Sequence, residues 1–303
     1  MRLLDYIFFC RPMLLIPVWT VFLLLFARVE RSVGIVFADI LALTFFSALT
    51  AGAYVINQIF DRESDKLNNK LGFLEPPISI GVNSAWTLYA FVTGSALFYA
   101  LLFQPSVIAC YVAFGALGVL YSAPPLRAKD RPILGWLFNA TSFSVIIGWL
   151  VFSVANVPEE YYWSFWLDVI ALFFAISSAY LLTTIPDVTG DRASGKLTVA
   201  TELGAIWTLM LGGLCSAAAL SLAIVTLFWP LALSAGLSVA LIVLAILKEQ
   251  DSLVLLAIKT PILALTIGAV ISFPTYGLFL VALLLLTRVY YSRRWGITYP
   301  SFS

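Results

Sequence analysis

Long runs without a charged side chain are the feature that most limits how this chain can fold. Three of these runs lie between Arg131 and Glu159, between Glu202 and Lys248, and between Lys259 and Arg288. Each is longer than the roughly 20 apolar residues that cross a bilayer as a helix. Only 11% of the 303 residues are charged and 62% are hydrophobic, which does not fit a water-soluble domain. We therefore expect an all-α integral membrane protein that passes the bilayer several times.

The composition excludes several kinds of site. The chain has no histidine, which rules out a His-based zinc site, a His-ligated haem and a His general base. Cys10, Cys110 and Cys215 stand singly among apolar residues, and we interpret them as small buried side chains. A net charge of +1 without a basic tail gives no indication of a nucleic-acid partner. We expect the first apolar run, Met13 to Ala27, to be a retained helix rather than a cleaved signal.

The apolar runs predict nine or ten spans. Lys259, Pro261 and the Phe273-Pro274 turn leave open whether the last two runs form two helices or one kinked helix from 260 to 288. With two helices the predicted spans lie near 13–28, 35–60, 84–103, 106–122, 133–155, 163–186, 205–227, 230–247, 253–272 and 275–291.

The positions of the basic residues favour ten spans. With ten spans and a cytoplasmic N-terminus, 15 of the 17 basic residues fall on the cytoplasmic side, where Lys and Arg are normally retained. Only Arg28 and Arg31 would lie outside. Nine spans would instead move Arg288, Arg293 and Arg294 across the membrane. The cytoplasmic loops 61–83, 123–132 and 187–204 hold most of the polar chemistry, and we expect the functional site there.

Acidic residues repeat at helical spacing at the ends of two predicted spans. Asn57, Asp61 and Asp65 lie four residues apart after the second span, which places them on one stripe of a helix. Asp187 and Asp191 repeat this spacing after the sixth span. Two sets of carboxylates facing each other at a membrane surface would repel each other unless cations lay between them. Mg²⁺ with a phosphate-bearing substrate suits such ligands, because it binds one or two carboxylates and commonly completes its shell with phosphate oxygens.

These motifs resemble the UbiA superfamily of membrane-bound polyprenyltransferases. Its members share Asn-x-x-x-Asp-x-x-x-Asp after the second helix and Asp-x-x-x-Asp after the sixth, and this chain has both patterns. The loop from Tyr121 to Lys129 and the Arg11-Pro12 pair are similar to further family features. The resemblance covers residues 11–204 of an expected single domain, 1–303, in which 205–303 would supply the C-terminal helices. Gln58 is similar to the homogentisate branch, and the second motif is similar to the homogentisate and chlorophyll-synthase branches.

The resemblance implies a helical bundle around a central cavity, open sideways to lipid, and a set of residue roles. Mg²⁺, as two ions that Mn²⁺ could replace, would bind Asn57, Asp61, Asp65, Asp187 and Asp191. The four aspartates and Tyr121 would be catalytic, with the Tyr121 ring facing an allylic cation. The diphosphate would be held by Arg11, Arg62, Ser122, Arg127, Lys129, Arg192 and Lys196. Asn139 and Tyr180 are polar positions within predicted spans, and we expect them to face the acceptor.

The implied activity is Mg²⁺-dependent transfer of a polyprenyl group from a prenyl diphosphate to a lipophilic acceptor of the aromatic, quinone-precursor type. A glycerol-phosphate lipid or a chlorophyllide remains an alternative acceptor. A cation-coupled transporter is a further alternative, although transport carboxylates usually lie near the midplane of the bilayer rather than at helix ends. A CDP-alcohol phosphotransferase would carry an Asp-Gly-x-x-Ala-Arg signature, which is absent from the sequence. The sequence predicts no oligomeric state.

Overall fold

The computed structural model describes residues 2–29, 34–67, 72–155 and 157–300, and within them the chain is helical with short connections. The helices that follow long apolar runs span the bundle, and short helices lie at its ends. In chain order they are α1 (Arg2–Phe9), α2 (Ile16–Arg28), α3 (Phe37–Leu67), α4 (Val82–Ala100), α5 (Pro105–Ser122), α6 (Pro132–Ala155), α7 (Tyr162–Thr183), α8 (Val188–Ala193), α9 (Val199–Leu203), α10 (Ala205–Val225), α11 (Trp229–Lys248), α12 (Asp251–Ser272) and α13 (Pro274–Trp295).

Within the described residues, nine helical segments are long and apolar enough to cross a bilayer. They are Leu3–Arg28, Phe37–Arg62, Pro105–Ser122, Pro132–Ala155, Glu159–Thr183, Ala205–Val225, Trp229–Lys248, Asp251–Ser272 and Pro274–Trp295. The remaining long helix, α4, has 19 residues and carries Asn83, Ser84 and three threonine or serine residues further along, which lower its hydropathy. The predicted all-α, multi-pass membrane bundle of nine or ten spans is confirmed.

The C-terminal part of the chain forms two helices rather than one kinked helix. α12 continues through Pro261, whose carbonyl oxygen accepts a hydrogen bond from Ser234 Oγ at 2.9 Å, and it ends before Phe273. α13 then packs back against α12, where a Cβ on Gly277 would lie 2.8 Å from the Val270 side chain. At its other end Arg294 reaches Asp5 of α1. The two helices therefore form an antiparallel hairpin that returns the chain to the side of its N-terminus.

The first helical segment is longer than the sequence suggested. α1 precedes the predicted start at residue 13, and it is separated from α2 by Arg11, whose φ of 51° is left-handed, and by a short 3-10 turn, Pro12–Leu15. Proline tolerates the first turn of a helix because its missing N–H has no partner there. The Phe9 carbonyl oxygen, at the end of α1, accepts a hydrogen bond from Gln58 Nε2 of α3 at 2.8 Å.

The opposite end of the bundle is tied by a buried ion pair. Arg28 Nε lies 2.7 Å from Asp168 Oδ2 of α7, whose residue is 1% exposed, and Arg28 also donates to the Thr226 carbonyl at 2.6 Å. The guanidinium stacks over the Phe228 ring, 5.3 Å from its centroid. Arg28 was predicted to lie on the face opposite most basic residues, and its contacts fix the ends of α2, α7 and α10 together there.

Candidate active site

A compact charged cluster lies where α3 ends and the loop after α5 crosses it. Lys129 Nζ lies 2.5 Å from Asp61 Oδ1, and an Arg127 terminal nitrogen lies 3.5 Å from the same oxygen. Arg127 Nε forms a second ion pair with Asp130 Oδ2 at 2.8 Å. One carboxylate of the first motif thus faces two cations of the loop. We call the end of the bundle that carries this cluster the acidic face.

The predicted stripe on α3 is visible in the contacts of Asn57. Its amide lies 3.3 Å from the Ser122 hydroxyl. In the amide orientation that satisfies both of its polar atoms, its nitrogen donates to Asp61 Oδ2 at 3.2 Å and its oxygen accepts from Lys129 Nζ at 3.1 Å. The geometry follows from the four-residue spacing, which places Asn57 one helical turn below Asp61. Both the amide and the carboxylate therefore present oxygen atoms to the same small region.

The loop that supplies the cations has a tight backbone. Arg127 adopts a left-handed conformation, with φ of 39°, directly before a 3-10 turn over Ala128–Asp130. This turn directs Lys129 inward, where its residue is 8% exposed. Burial lowers the pKa of the Lys129 ammonium, and the nearby charges of Arg127 and Lys196 act in the same direction, whereas Asp61 raises it. Lys196 thus lies close enough to Lys129 for the two charges to repel.

The second acidic motif lies beside this loop. Asp187 is exposed at the start of α8, and Asp191 is buried at 8% exposure. The Lys196 backbone N–H donates to the Asp191 carbonyl at 2.9 Å, which folds Lys196 back towards the motif. The Leu197 N–H then donates to the Asp130 carbonyl at 3.3 Å. The loop after α7 and the loop after α5 are therefore hydrogen-bonded to each other on the acidic face.

Tyr121 and Tyr180 lie between the charged loops and the interior of the bundle. Their hydroxyl groups lie near each other, and Tyr121 is also close enough to Asp61 and Asp130 to interact with them electrostatically. α6 approaches this pair closely, because a Cβ on Gly135 would lie 2.5 Å from the Tyr180 hydroxyl oxygen. The two rings therefore form the boundary at which the charged cluster meets the membrane interior.

A cavity of about 470 Å³ begins at these two tyrosines and extends into the bundle. Its walls come from the long helices α2, α3, α5, α6, α7, α10, α11 and α12, and none of the described side chains that line it is charged. Its polar groups are neutral hydroxyls and one amide, contributed by Thr20, Tyr54, Tyr121, Asn139, Tyr180, Thr183, Ser216, Ser234 and Ser238. Asn139 and Tyr180, predicted to face an acceptor, both lie in this wall.

Three predicted diphosphate ligands lie at the margin of the cluster. Arg62 is exposed and pairs with Glu75, with 2.7 Å between Nε and Oε1. Arg192 donates to the Thr201 carbonyl at 3.3 Å. Arg11 lies close enough to Tyr54 of the cavity wall to interact with its hydroxyl electrostatically. None of these three contacts involves the Asp61 carboxylate.

The arrangement of the described acidic side chains limits how they could bind a metal ion. In the part of the chain that the structure describes, no three Asp, Glu or Cys side chains are placed to hold one metal ion together. Asp65, half-buried, lines a small pocket with Arg62 and Glu75 instead. A metal ion bound among these described residues would therefore take at most two acidic side chains and would need other ligands to complete its shell.

Two site residues were not singled out from the sequence. Asp130 pairs with Arg127, and its carbonyl oxygen accepts a hydrogen bond from the loop after α7. In the sequence, the only indication of this role is that Asp130 directly follows Lys129. Gly135 has no side chain, which leaves room for the Tyr180 hydroxyl group. A single glycine in an apolar run gives no such indication, because the contact depends on how α6 packs on α7.

Together, the fold and the site define a multi-pass integral membrane protein with a charged cluster above an uncharged cavity. The UbiA prenyltransferase family model matches residues 14–254. The chain belongs to the UbiA prenyltransferase family, as its motifs predicted.

Curated relatives share part of the chain. A 2-acylphloroglucinol 4-prenyltransferase of Humulus lupulus is 33% identical over 202 residues, which cover 62% of this chain and 46% of the relative. A probable homogentisate phytyltransferase 2 of Oryza sativa subsp. japonica is 31% identical, covering 49% and 40%. A lycopene elongase/hydratase of Haloarcula japonica is 32% identical, covering 50% and 49%. The chain spans less than half the length of these relatives.

Solved structures share the fold. A UbiA homolog from Archaeoglobus fulgidus bound to DMAPP and Mg²⁺ has a TM-score of 0.68 at 19% identity, and a digeranylgeranylglyceryl phosphate synthase has a TM-score of 0.66 at 16% identity. Both matches cover 89% of this chain and 99% of the solved chain.

Proposed function

We propose that this protein transfers a polyprenyl group from a prenyl diphosphate to a lipophilic acceptor and releases diphosphate, with Mg²⁺ as cofactor. The observation that carries the proposal is the position of Tyr121 and Tyr180, with cationic and acidic side chains on one side and an uncharged cavity on the other. An amphiphile with a diphosphate head and a hydrocarbon tail matches both environments. The family and the names of the curated relatives support the same reaction class.

The donor set suits Mg²⁺. Asn57 and Asp61 present hard oxygen ligands close together, with Asp65 on the same helix and Asp187 and Asp191 across the two joined loops. Mg²⁺ typically takes one or two carboxylates and completes its shell with water and phosphate oxygens. This number of carboxylates is what each acidic motif can supply. We propose two Mg²⁺ ions, one for each motif, replaceable by Mn²⁺. When bound, the metal acts as a Lewis acid on the diphosphate.

The chain's own residues orient the diphosphate and the carbon that reacts. Lys129, Arg127 and Lys196 form a cationic group that holds the phosphate oxygens as charge develops on the leaving group. We assign Ser122, beside Asn57, to the same set, with Arg11, Arg62 and Arg192 at its margin. Tyr121 faces the first carbon of the donor, where its ring stabilises positive charge. The uncharged and largely apolar lining of the cavity would disfavour water, which could otherwise capture an allylic cation.

The neutral cavity wall favours an acceptor without a charged head group. Asn139 and Tyr180 can hydrogen-bond a hydroxyl or carbonyl group, but no cationic side chain lines the cavity to balance a phosphate. We therefore propose a phenolic, quinone-precursor-type acceptor ahead of a glycerol-phosphate lipid or a chlorophyllide. Curated relatives named homogentisate solanesyltransferase and 2-acylphloroglucinol 4-prenyltransferase support this choice. We also propose that the acidic face and the N-terminus are cytoplasmic, because most basic residues lie on that side.

Purified protein with Mg²⁺, radiolabelled geranylgeranyl diphosphate and a panel of acceptors tests the proposal. The panel contains homogentisate, an acylphloroglucinol, lycopene, a glycerol-phosphate lipid and a chlorophyllide. We expect a prenylated phenol and an equal amount of released diphosphate. EDTA should stop the reaction, and Mg²⁺ should restore it. No prenylated product and no diphosphate release with any acceptor would overturn the proposal.

A further inference from the structure

A second cavity of about 540 Å³ lies on the outside of the bundle, beside the acidic face. It is bounded by the start of α6, the end of α7, α9 and the start of α10, and it shares no lining residue with the central cavity. We call it the lateral groove. Its volume falls within the range of about 300–1,000 Å³ that is typical of small-molecule sites. It is not used by the proposed reaction.

The rim of the lateral groove carries one charge of each sign. Arg131 directly precedes α6, and Glu202 lies on α9 across the groove. Both are exposed. Within the described residues, neither side chain forms an ion pair or a hydrogen bond. The first N–H groups of α6, which have no acceptor inside the helix, add to the positive potential beside Arg131.

Below the rim the groove is apolar. Leu181 and Val199 form buried parts of its wall, and Leu203 and Leu211 continue it along α9 and α10. Trp136 lies in the same wall, four residues after the start of α6, or about 6 Å along the helix axis. Tryptophan is enriched at the level where lipid head groups meet hydrocarbon. A wall of this composition fits a groove that runs from the head-group level into the hydrocarbon region.

We propose that the lateral groove binds a zwitterionic phospholipid with a primary ammonium group. Its phosphate would pair with Arg131 at the start of α6, its ammonium with Glu202, and one acyl chain would lie along Leu203 and Leu211. A purely apolar lipid would leave both rim charges without a partner. A phospholipid with a net negative head group would face repulsion from Glu202.

Lipid retention by the full-length protein in mild detergent, measured by native mass spectrometry, tests this site without any prenyl substrate. Phosphatidylethanolamine and phosphatidylglycerol with identical acyl chains are supplied at equal concentration. An exposed ion pair contributes up to about 1 kcal/mol, so we expect up to about a five-fold preference for phosphatidylethanolamine. Equal retention of the two lipids by the parent protein would overturn the proposal.

Variants at Arg131 and Glu202 test whether these rim residues cause the lipid preference. Glu202→Gln should remove the preference for phosphatidylethanolamine over phosphatidylglycerol, and Arg131→Gln should lower the retention of both lipids. Arg131→Lys keeps the charge and should stay near the parent. Lys248→Gln removes an exposed cation at the end of α11, outside the groove, and should change neither value. If Lys248→Gln matched Arg131→Gln, retention would reflect overall charge, and the assignment would be wrong.

Discussion

Asp61 is the residue on which the charged contacts of the acidic face converge. Asn57 lies one turn below it, and Lys129 and Arg127 approach from the loop after α5. Both cations therefore approach the same carboxylate oxygen, Oδ1, at 2.5 Å and 3.5 Å. The same oxygen atoms are those that a metal ion would need. Replacing Asp61 by asparagine therefore removes the charge while the size and shape of the side chain stay nearly the same.

We expect Asp61→Asn to lower kcat at least about 100-fold, because substitutions around a bound metal commonly cost 10- to 100-fold and this residue is a proposed ligand. The amide keeps the shape of the side chain but leaves the buried Lys129 ammonium without its carboxylate partner, so the thermal midpoint should also fall, and kcat is compared at a temperature where both proteins are folded. Asp251→Asn, at the exposed start of α12, is the matched control and should keep full activity. Turnover of Asp61→Asn within three-fold of the parent would contradict the metal assignment.

Gly135 offers a test of the tyrosine pair without changing either tyrosine. A Cβ at this position would lie 2.5 Å from the Tyr180 hydroxyl oxygen and 3.1 Å from the Ala128 carbonyl. Overpacking of this kind costs about 1–3 kcal/mol, so Gly135→Ala should lower both the thermal midpoint and kcat.

Gly115→Ala is the matched control, because this position has room for a Cβ, and the same two quantities are measured. Its Cβ would meet only Leu49 at 3.6 Å, an ordinary contact. Alanine is favoured over glycine inside a helix by about 0.5–1 kcal/mol, so this variant should be as stable as the parent or more so. If Gly135→Ala and Gly115→Ala gave the same thermal midpoint and kcat, the close approach of α6 to Tyr180 would affect neither stability nor activity.

Residue-level prediction from sequence succeeded where spacing along one helix decides the contact. Asn57 and Asp61 meet because residues four apart share a helix face. It could not foresee that Arg62, adjacent in sequence, turns to Glu75 in the loop after α3. That pairing depends on the path of the chain between α3 and α4, and no periodic pattern records this path.

At the scale of the elements, α1 and α13 support the first acidic motif from outside it. Asp5, 4% exposed, accepts hydrogen bonds from Tyr290 Oη at 2.7 Å and from Arg294 at 2.9 and 3.1 Å. The Phe8 and Tyr290 rings stack with centroids 3.9 Å apart. The next residue, Phe9, is held by Gln58, the neighbour of Asn57. Asp5 and Phe8 thus connect α13 to α1, and Phe9 connects α1 to Gln58, next to the first motif on α3.

We expect Arg294→Gln to destabilise the protein by about 3 kcal/mol, because it leaves the Asp5 carboxylate buried with one donor fewer. A thermal unfolding scan in detergent measures the change. Arg293→Gln removes the adjacent, exposed arginine and should leave the midpoint nearly unchanged. Equal midpoints for the two variants would show that the contact between α1 and α13 is not a stabilising one.

Apolar periodicity predicted the long helices because bilayer thickness sets their length. It missed α1, since a short helix with Arg2 and Asp5 has neither the length nor the hydropathy of a span. It also left the number of C-terminal helices open. Pro261 and Phe273-Pro274 look alike as interruptions, yet α12 continues through the first and ends at the second. Packing of α13 against α12 and α1 decides between them.

At the scale of the whole molecule, the acidic motifs, the N-terminus and the end of α13 lie on one face, and the Arg28–Asp168 pair lies at the other. Single cysteines at Thr189, Ser292 and Leu227, in a chain whose three native cysteines are replaced by alanine, test this arrangement. An impermeant thiol reagent applied to intact cells should label only the Leu227→Cys variant. Labelling of the Ser292→Cys and Leu227→Cys variants alike would contradict the antiparallel hairpin of α12 and α13.

If the protein transfers a polyprenyl group as proposed, the depth of the uncharged cavity would limit the length of the donor tail. Leu265 lines it and lies 14 residues along α12 from its start on the acidic face, about 21 Å at 1.5 Å per residue. A tail held at its diphosphate end can extend only until it meets such a side chain. Leu265→Ala should therefore raise kcat/KM for a donor one or two isoprene units longer, relative to the shorter donor, in a competition assay. An unchanged ratio would mean that the length limit lies elsewhere along the tail.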